Sequence, residues 1–341
     1  MDSKRVALAL GSGGARGYAH IGVIAELRDR GYQIVGVSGS SMGALVGGLH
    51  AAGALDEFTD WAKALSQSAV LRLLDPNWRG PGFFRAEKLL DVVRELLGGV
   101  RIEELPIPFT AVTTDLIAGK SLWLQRGPLD VAIRASIAIP GMISPHIMDG
   151  RVLADGGILE PLPVVPLAGA NADVAIAVSL SGDDSDGNRY RRSDGEPNAA
   201  AEWFNRVVKS TSALLETPAA RSVLSRFGAP DPDEEEEEEE TGDVVAAAAM
   251  VPKLGSFEVM NRTIEVMQAS LARHHLASYP PDVLIEVPRN SSRTLDFHRA
   301  TDMIEVGRTL AAESLDSYEA RGDSGDSDES ETAAGAADGP G

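Results

Sequence analysis

The 341-residue chain has no cysteine, which excludes disulfides and thiolate metal sites, and no spacing of His, Asp or Glu suggests a metal of another kind. Lysine is scarce, six against twenty-five arginines, and no basic stripe exists of the sort that nucleic acid requires. No apolar run reaches the length of about eighteen residues that a membrane-spanning helix needs. The N-terminus enters a strand-like run almost at once, without the pattern of a signal peptide. A cytoplasmic protein is therefore expected. What is abundant is negative charge, 51 acidic against 31 basic residues for a net charge of −20. Acidic excess with lysine depletion is the surface style of a protein working in molar salt, so a halophile is the expected source. The competing reading is an ordinary enzyme with acidic appendages. Part of the surplus does sit in three polar segments, about 182–198, 229–243 with its seven consecutive glutamates, and 322–341, all of which read as disordered.

The most informative stretch is Gly39-Ser40-Ser41-Met42-Gly43. It follows the apolar run Ile34-Val35-Gly36-Val37 and precedes the small-residue helical pattern Ala44–Leu49. Strand, sharp turn, helix, with a serine at the apex, is the setting of a nucleophile elbow. The strained turn leaves no room for a Cβ on either side, and Gly39 and Gly43 remove both. The new helix directs its free N–H groups at the reaction centre. Ser41 is then the attacking group. A turn whose serine merely caps the helix would look the same, so the pentapeptide does not decide.

A second motif follows the apolar strand Val6–Leu10: Gly11-Ser12-Gly13-Gly14-Ala15-Arg16-Gly17, then a helical pattern from Tyr18 to Leu27. Such a loop offers unobstructed backbone N–H groups to an anion, either a dinucleotide pyrophosphate or the oxyanion of a tetrahedral acyl intermediate. The dinucleotide fingerprint fails, because counting from Gly11 the sixth position is Arg16, and no acidic residue ends a second strand where a ribose partner belongs. The oxyanion reading has Gly13 and Gly14 as donors and Arg16 as a nearby orienting charge. For Arg16 a structural ion pair at a helix start is the alternative.

A serine nucleophile needs a base. His20 and His50 fall within helical patterns, His274 and His275 lie on a late amphipathic helix, and all four read as structural; His146, in a loop, stays open. A carboxylate is the better candidate. Val152-Leu153-Ala154 is a short apolar run that ends in Asp155-Gly156-Gly157, and the two glycines let the acid approach another loop closely. Asp149-Gly150 reads instead as a hairpin turn.

In this order the glycine loop with Arg16, the Gly39–Gly43 pentapeptide and Asp155-Gly156-Gly157 resemble the patatin-like phospholipases, especially their short prokaryotic branch. Thr114-Asp115-Leu116 with Gly119, Ala135-Ser136-Ile137-Ala138-Ile139-Pro140-Gly141, Pro161–Val164 and Ala172–Val178 agree as well. The likeness is strong over residues 5–180, fades through 181–250, and returns weakly near Asp282–Ile285 and Asp296-Phe297. One departure is Ser12, which stands where many members carry glycine. The resemblance implies a Ser–Asp dyad without histidine that acts on acyl esters of lipids. Ser41 would be the nucleophile and Asp155 the base; the N–H groups of Gly13 and Gly14 with Arg16 would form the oxyanion site, and no cofactor is needed.

Alternating strand and helix patterns favour an α/β fold, a three-layer sandwich with a mostly parallel central sheet. Residues 5–180 would form the catalytic core and 181–250 an acidic insertion with a helix near 200–215. Residues 251–321 would complete the same domain, with 322–341 as a disordered tail. Helices are expected at 255–276, with Phe257, Met260, Ile264, Met267 and Leu271 on one face, and at 300–320. A cover over the site is expected from residues 60–85. The partner is a lipid or other acyl ester, with peripheral contact to a membrane surface. A thioesterase using the same residues, and a regulatory protein that keeps the fold without catalysis, are the alternatives.

Overall fold

The computed structural model describes residues 3–73, 82–84, 87–182 and 256–334. By internal contacts the chain divides into Met1–Arg192 with Ile264–Gly341, and Ser193–Thr263. The expected helix near 200–215 lies outside the described residues, as does most of the acidic insertion. The strands and helices that build the candidate site all belong to the first unit.

Eight strands form one sheet in the order β10-β9-β1-β2-β4-β8-β7, with β5 also paired to β4. Five of them run parallel: β1 (Arg5–Leu10), β2 (Gln33–Ser40), β4 (Phe109–Asp115), β9 (Val174–Gly182) and β10 (Val283–Pro288). β1 and β9 read as near-continuous apolar runs, as strands covered on both faces do. β5 (Lys120–Leu124) and β8 (Arg151–Asp155) lie antiparallel to β4, and β7 (His146–Met148) antiparallel to β8. His146, expected in a loop, therefore sits on the outermost strand. The β7–β8 connection is Asp149-Gly150, both with positive φ (50° and 74°), which is the expected two-residue hairpin turn.

Helices α1 (Ala19–Asp29) and α2 (Met42–Ala51) follow β1 and β2; α3 (Leu55–Lys63), α4 (Gln67–Leu73), α5 (Glu87–Leu97) and α6 (Leu129–Ser136) come next, with α7 (Ser256–Ser278) and α8 (Ala300–Ala334) near the end. The two layers of helix follow from side-chain alternation along β1. Leu10 and Val37 face α2, where a Cβ on Gly47 would lie 3.2 and 2.8 Å from them. Ala9 points the other way and packs with Ala177, Leu162 and, from α7, Ala272 and Leu276. This is the three-layer α/β arrangement. A small parallel pair, β3 (Gly82–Phe84) with β6 (Gly141–Ile143), stands apart from the sheet.

Helix α7 spans the expected stretch; it buries its small residues, Ala269 and Ala272, and leaves Met267 52% exposed, because close approach to the sheet selects alanine at the contact. Helix α8 runs on to Ala334, past the point where composition ended the ordered chain.

Candidate active site

Strand β2 leaves the sheet just beyond Ser40, which is in register with Val112 of β4. The next residue, Ser41, adopts φ 55° and ψ −118°, a conformation that costs a residue with a Cβ about 1–3 kcal/mol and persists only where the surroundings enforce it. The enforcement is visible. A Cβ on Gly39 would lie 2.2 Å from the Gly43 carbonyl oxygen, and one on Gly43 would lie 2.0 Å from that of Leu10. Ser41 donates its N–H to Ser136 Oγ at 2.9 Å, and Ser136 Oγ donates to the Val112 carbonyl at 2.6 Å.

The register explains how Asp155 arrives here. β5 pairs with Ala111–Asp115 on one edge of β4, so β2 and β8 must share the other edge. β2 occupies it up to Val112. β8 takes over at Thr113, which is paired with Asp155. The ends of two strands of opposite direction thus abut on one edge, one carrying Ser41 and the other Asp155. Ser41 Oγ donates to Asp155 Oδ2, and Gly157 N–H donates to Asp155 Oδ1 at 2.7 Å. A Cβ on Gly156 would lie 2.2 Å from the Val112 carbonyl oxygen, so the glycine after Asp155 is what allows the approach. Burial pushes the Asp155 carboxyl up to about 7, against the opposing pull of the Ser41 and Gly157 hydrogen bonds. Among the described residues, the Asp155 carboxylate takes its hydrogen bonds from these two groups.

The first glycine loop lies against the end of β9. The N–H groups of Gly11, Ser12 and Ala15 donate to the carbonyls of Val178, Pro161 and Thr294 at 3.0, 2.8 and 2.9 Å. Those of Gly13 and Gly14 have no hydrogen-bond partner among the described residues. Ser12 fills the space left by a missing side chain: a Cβ on Gly157 would lie 2.4 Å from Ser12 Oγ. Arg16 is buried, with Nε on the Gly13 carbonyl at 3.2 Å, Nη1 on the Arg289 carbonyl at 2.9 Å and Nη2 on Glu265 Oε1 at 2.8 Å. Each of the three nitrogens makes a bond within the protein, and the one to Glu265 is the ion pair of the structural reading. His20 hydrogen-bonds the Gly11 carbonyl at 2.8 Å, and burial lowers its pKa to about 4, so it stays neutral.

Ser41 opens onto an apolar cleft that is partly open to solvent. Its walls are Phe58 and Trp61 from α3, Leu65 from the connection that follows, Val70 from α4, Ile137, Ile139, Met142 and Ile143 after α6, and Tyr18 with Phe297. The expected cover over 60–85 is met in its first part; residues 74–81, 85 and 86 lie outside the described residues. The wall after α6 and the Ser136 bridge were not legible as parts of a site, because no periodicity or charge marks them.

The family model described as patatin-like phospholipase matches residues 8–168, from β1 to beyond Asp155. An uncharacterized NTE family protein of Mycobacterium tuberculosis is 58% identical over 339 residues, covering 93% of each chain. The chain belongs to the patatin-like phospholipase family. Within it, the neuropathy target esterase sws of Drosophila melanogaster and the patatin-like phospholipase domain-containing protein 6 of Homo sapiens are each 32% identical over 198 residues, 56% of this chain and 14% of theirs. Among solved structures, VipD from Legionella pneumophila aligns at TM-score 0.41 and 14% identity over 93% of this chain and 67% of its own, too distant to add to the argument. These relatives lend no support to a high-salt origin. Most of the acidic surplus is carried by residues 183–255 and 322–341, as the appendage reading has it. Among the described residues no helix is long and apolar enough to cross a membrane.

Proposed function

We propose that this patatin-like protein is a serine acyl hydrolase that cleaves lipid or related carboxylic esters through a Ser41–Asp155 dyad. The observation that carries the reading is the hydrogen bond to a buried carboxylate from Ser41 Oγ, whose residue lines an apolar cleft. Ser41 Oγ attacks the ester carbonyl carbon and passes its proton to Asp155. The charge that develops on the carbonyl oxygen is met by the N–H groups of Gly13 and Gly14, each worth on the order of 3 kcal/mol when well placed. Collapse of the intermediate expels the alcohol, which takes the proton from Asp155. Water then attacks the acyl-enzyme, with Asp155 as base again, and regenerates Ser41.

An ordinary aspartate is a weak base; one that titrates near 7 is matched to neutral pH. Burial of the carboxyl within the protein raises it, and the apolar walls of the cleft beside Ser41 offer a surface suited to an acyl chain. The test is reaction of the full chain with a fluorophosphonate probe and hydrolysis of a p-nitrophenyl ester. Ser41→Ala abolishes both, whereas His146→Ala leaves both near wild type. A folded wild type that neither labels nor turns over any ester in a panel of chain lengths would overturn the assignment, as would undiminished turnover by Ser41→Ala.

A further inference from the structure

We infer that Ser136 is a positioning residue, a hydroxyl that bridges the nucleophile's backbone to the sheet and holds Ser41 in its attacking geometry. The inference rests on the dyad reading above but adds a group that the dyad does not contain. Where β2 ends, Ser40 is still in register with Val112. At Ser41 the chain turns to φ 55°, and its N–H does not reach the β4 carbonyl directly. The Ser136 hydroxyl fills the gap, accepting from Ser41 N at 2.9 Å and donating to the Val112 carbonyl at 2.6 Å. A hydroxyl both donates and accepts, so it extends the ladder by one step around a corner that backbone groups alone cannot span.

Two consequences follow from this bridge. The Ser41 amide is committed to Ser136, so the oxyanion donors must come from elsewhere, which agrees with the unpartnered N–H groups of Gly13 and Gly14. Ser136 is also fully buried and is followed directly by Ile137, a wall of the cleft. It touches the nucleophile's backbone and does not reach the cleft surface itself. Its loss should therefore disturb the alignment of Oγ more than the affinity for substrate. A nucleophile displaced by about 1 Å loses about 100-fold in rate.

The experiment compares Ser136→Ala, Ser136→Cys and Ser136→Thr in the full chain, with Ser41→Ala as the control. Ester kcat and KM, the rate of fluorophosphonate labelling and thermal melting are measured for each. Ser136→Ala is expected to lower kcat and the labelling rate by about 10- to 100-fold with KM within about twofold. Ser136→Cys fills the space with a poorer hydrogen-bonding group and should fall between Ala and wild type, which keeps the test usable if Ala fails to fold. Ser136→Thr retains the hydroxyl and should recover kcat to within about threefold. Folded Ala or Cys variants with wild-type labelling rates, or a loss confined to KM, would overturn the role of Ser136. Ser41→Ala with undiminished turnover would overturn the dyad instead, so the two failures are distinguishable.

Discussion

Replacing Asp155 by asparagine should make the protein more stable while removing its activity. The Asp155 carboxyl is buried, 2% exposed, and titrates at about 7 in place of 3.8. In the unfolded chain it loses its proton near pH 4; in the folded protein it keeps that proton until about pH 7. Folding therefore takes up a proton between these values, and stability falls as pH rises through the window. The contribution is fully present below about pH 4 and fully lost above about pH 7. At about 1.4 kcal/mol per pH unit, a shift of roughly three units amounts to about 4 kcal/mol. Asparagine carries no charge to desolvate and can keep both contacts, its Oδ1 accepting from Gly157 N–H and its Nδ2 donating to Ser41 Oγ. The assay is urea unfolding of wild type and Asp155→Asn across pH 4 to 9. The stability advantage of the variant should grow from near zero at pH 4 to a plateau of up to about 4 kcal/mol above pH 7. At a few degrees per kcal/mol, the melting temperature should rise by roughly 5–10 °C at pH 8. A variant no more stable than wild type at pH 8, or an advantage that does not change with pH, would refute the claim that burial raises this carboxyl. The ionised carboxylate is a stability cost accepted for catalysis.

Two further outcomes can be checked. Ester hydrolysis should rise with pH through a midpoint near 7, as Asp155 becomes a base, and a pH–kcat/KM profile measured on a neutral ester reads this directly; a rate already at its plateau at pH 5 would exclude Asp155 as the titrating group. Arg16→Met should destabilise the fold by about 3 kcal/mol, since it leaves the largely buried Glu265 without its charge partner, held by the Thr294 hydroxyl, and releases the Gly13 carbonyl. Adding Glu265→Gln should recover part of that loss, as chemical denaturation of both variants would reveal.

Much of the site could be read in one dimension because its requirements are local. A strained turn that admits no Cβ must be flanked by glycine, and Gly39 and Gly43 mark it wherever the rest of the chain goes. An acid that must approach a carbonyl closely is followed by glycine, as Asp155 is by Gly156. The role of Arg16 was left between two readings because both place arginine at a helix start; its ionic partner, Glu265, is 249 residues away. Periodicity sets Met260 and Met267 on one face of helix α7 but counts apolar residues without knowing how close the sheet will come; Ala269 and Ala272 make the buried contact.

The amino-acid order alone marked β1 and β9, through apolar runs that tolerate burial on both faces, and the glycine-flanked turn that carries Ser41; β4, with three threonines and an aspartate, carried no such mark. Only the tertiary structure decided that positions 114 residues apart would share a hydrogen bond, because that depends on β8 taking over the edge of β4 where β2 departs. It alone also decided the strength of the base. A carboxyl's affinity for its proton is set by the water it has lost, and that loss is a property of the packed fold.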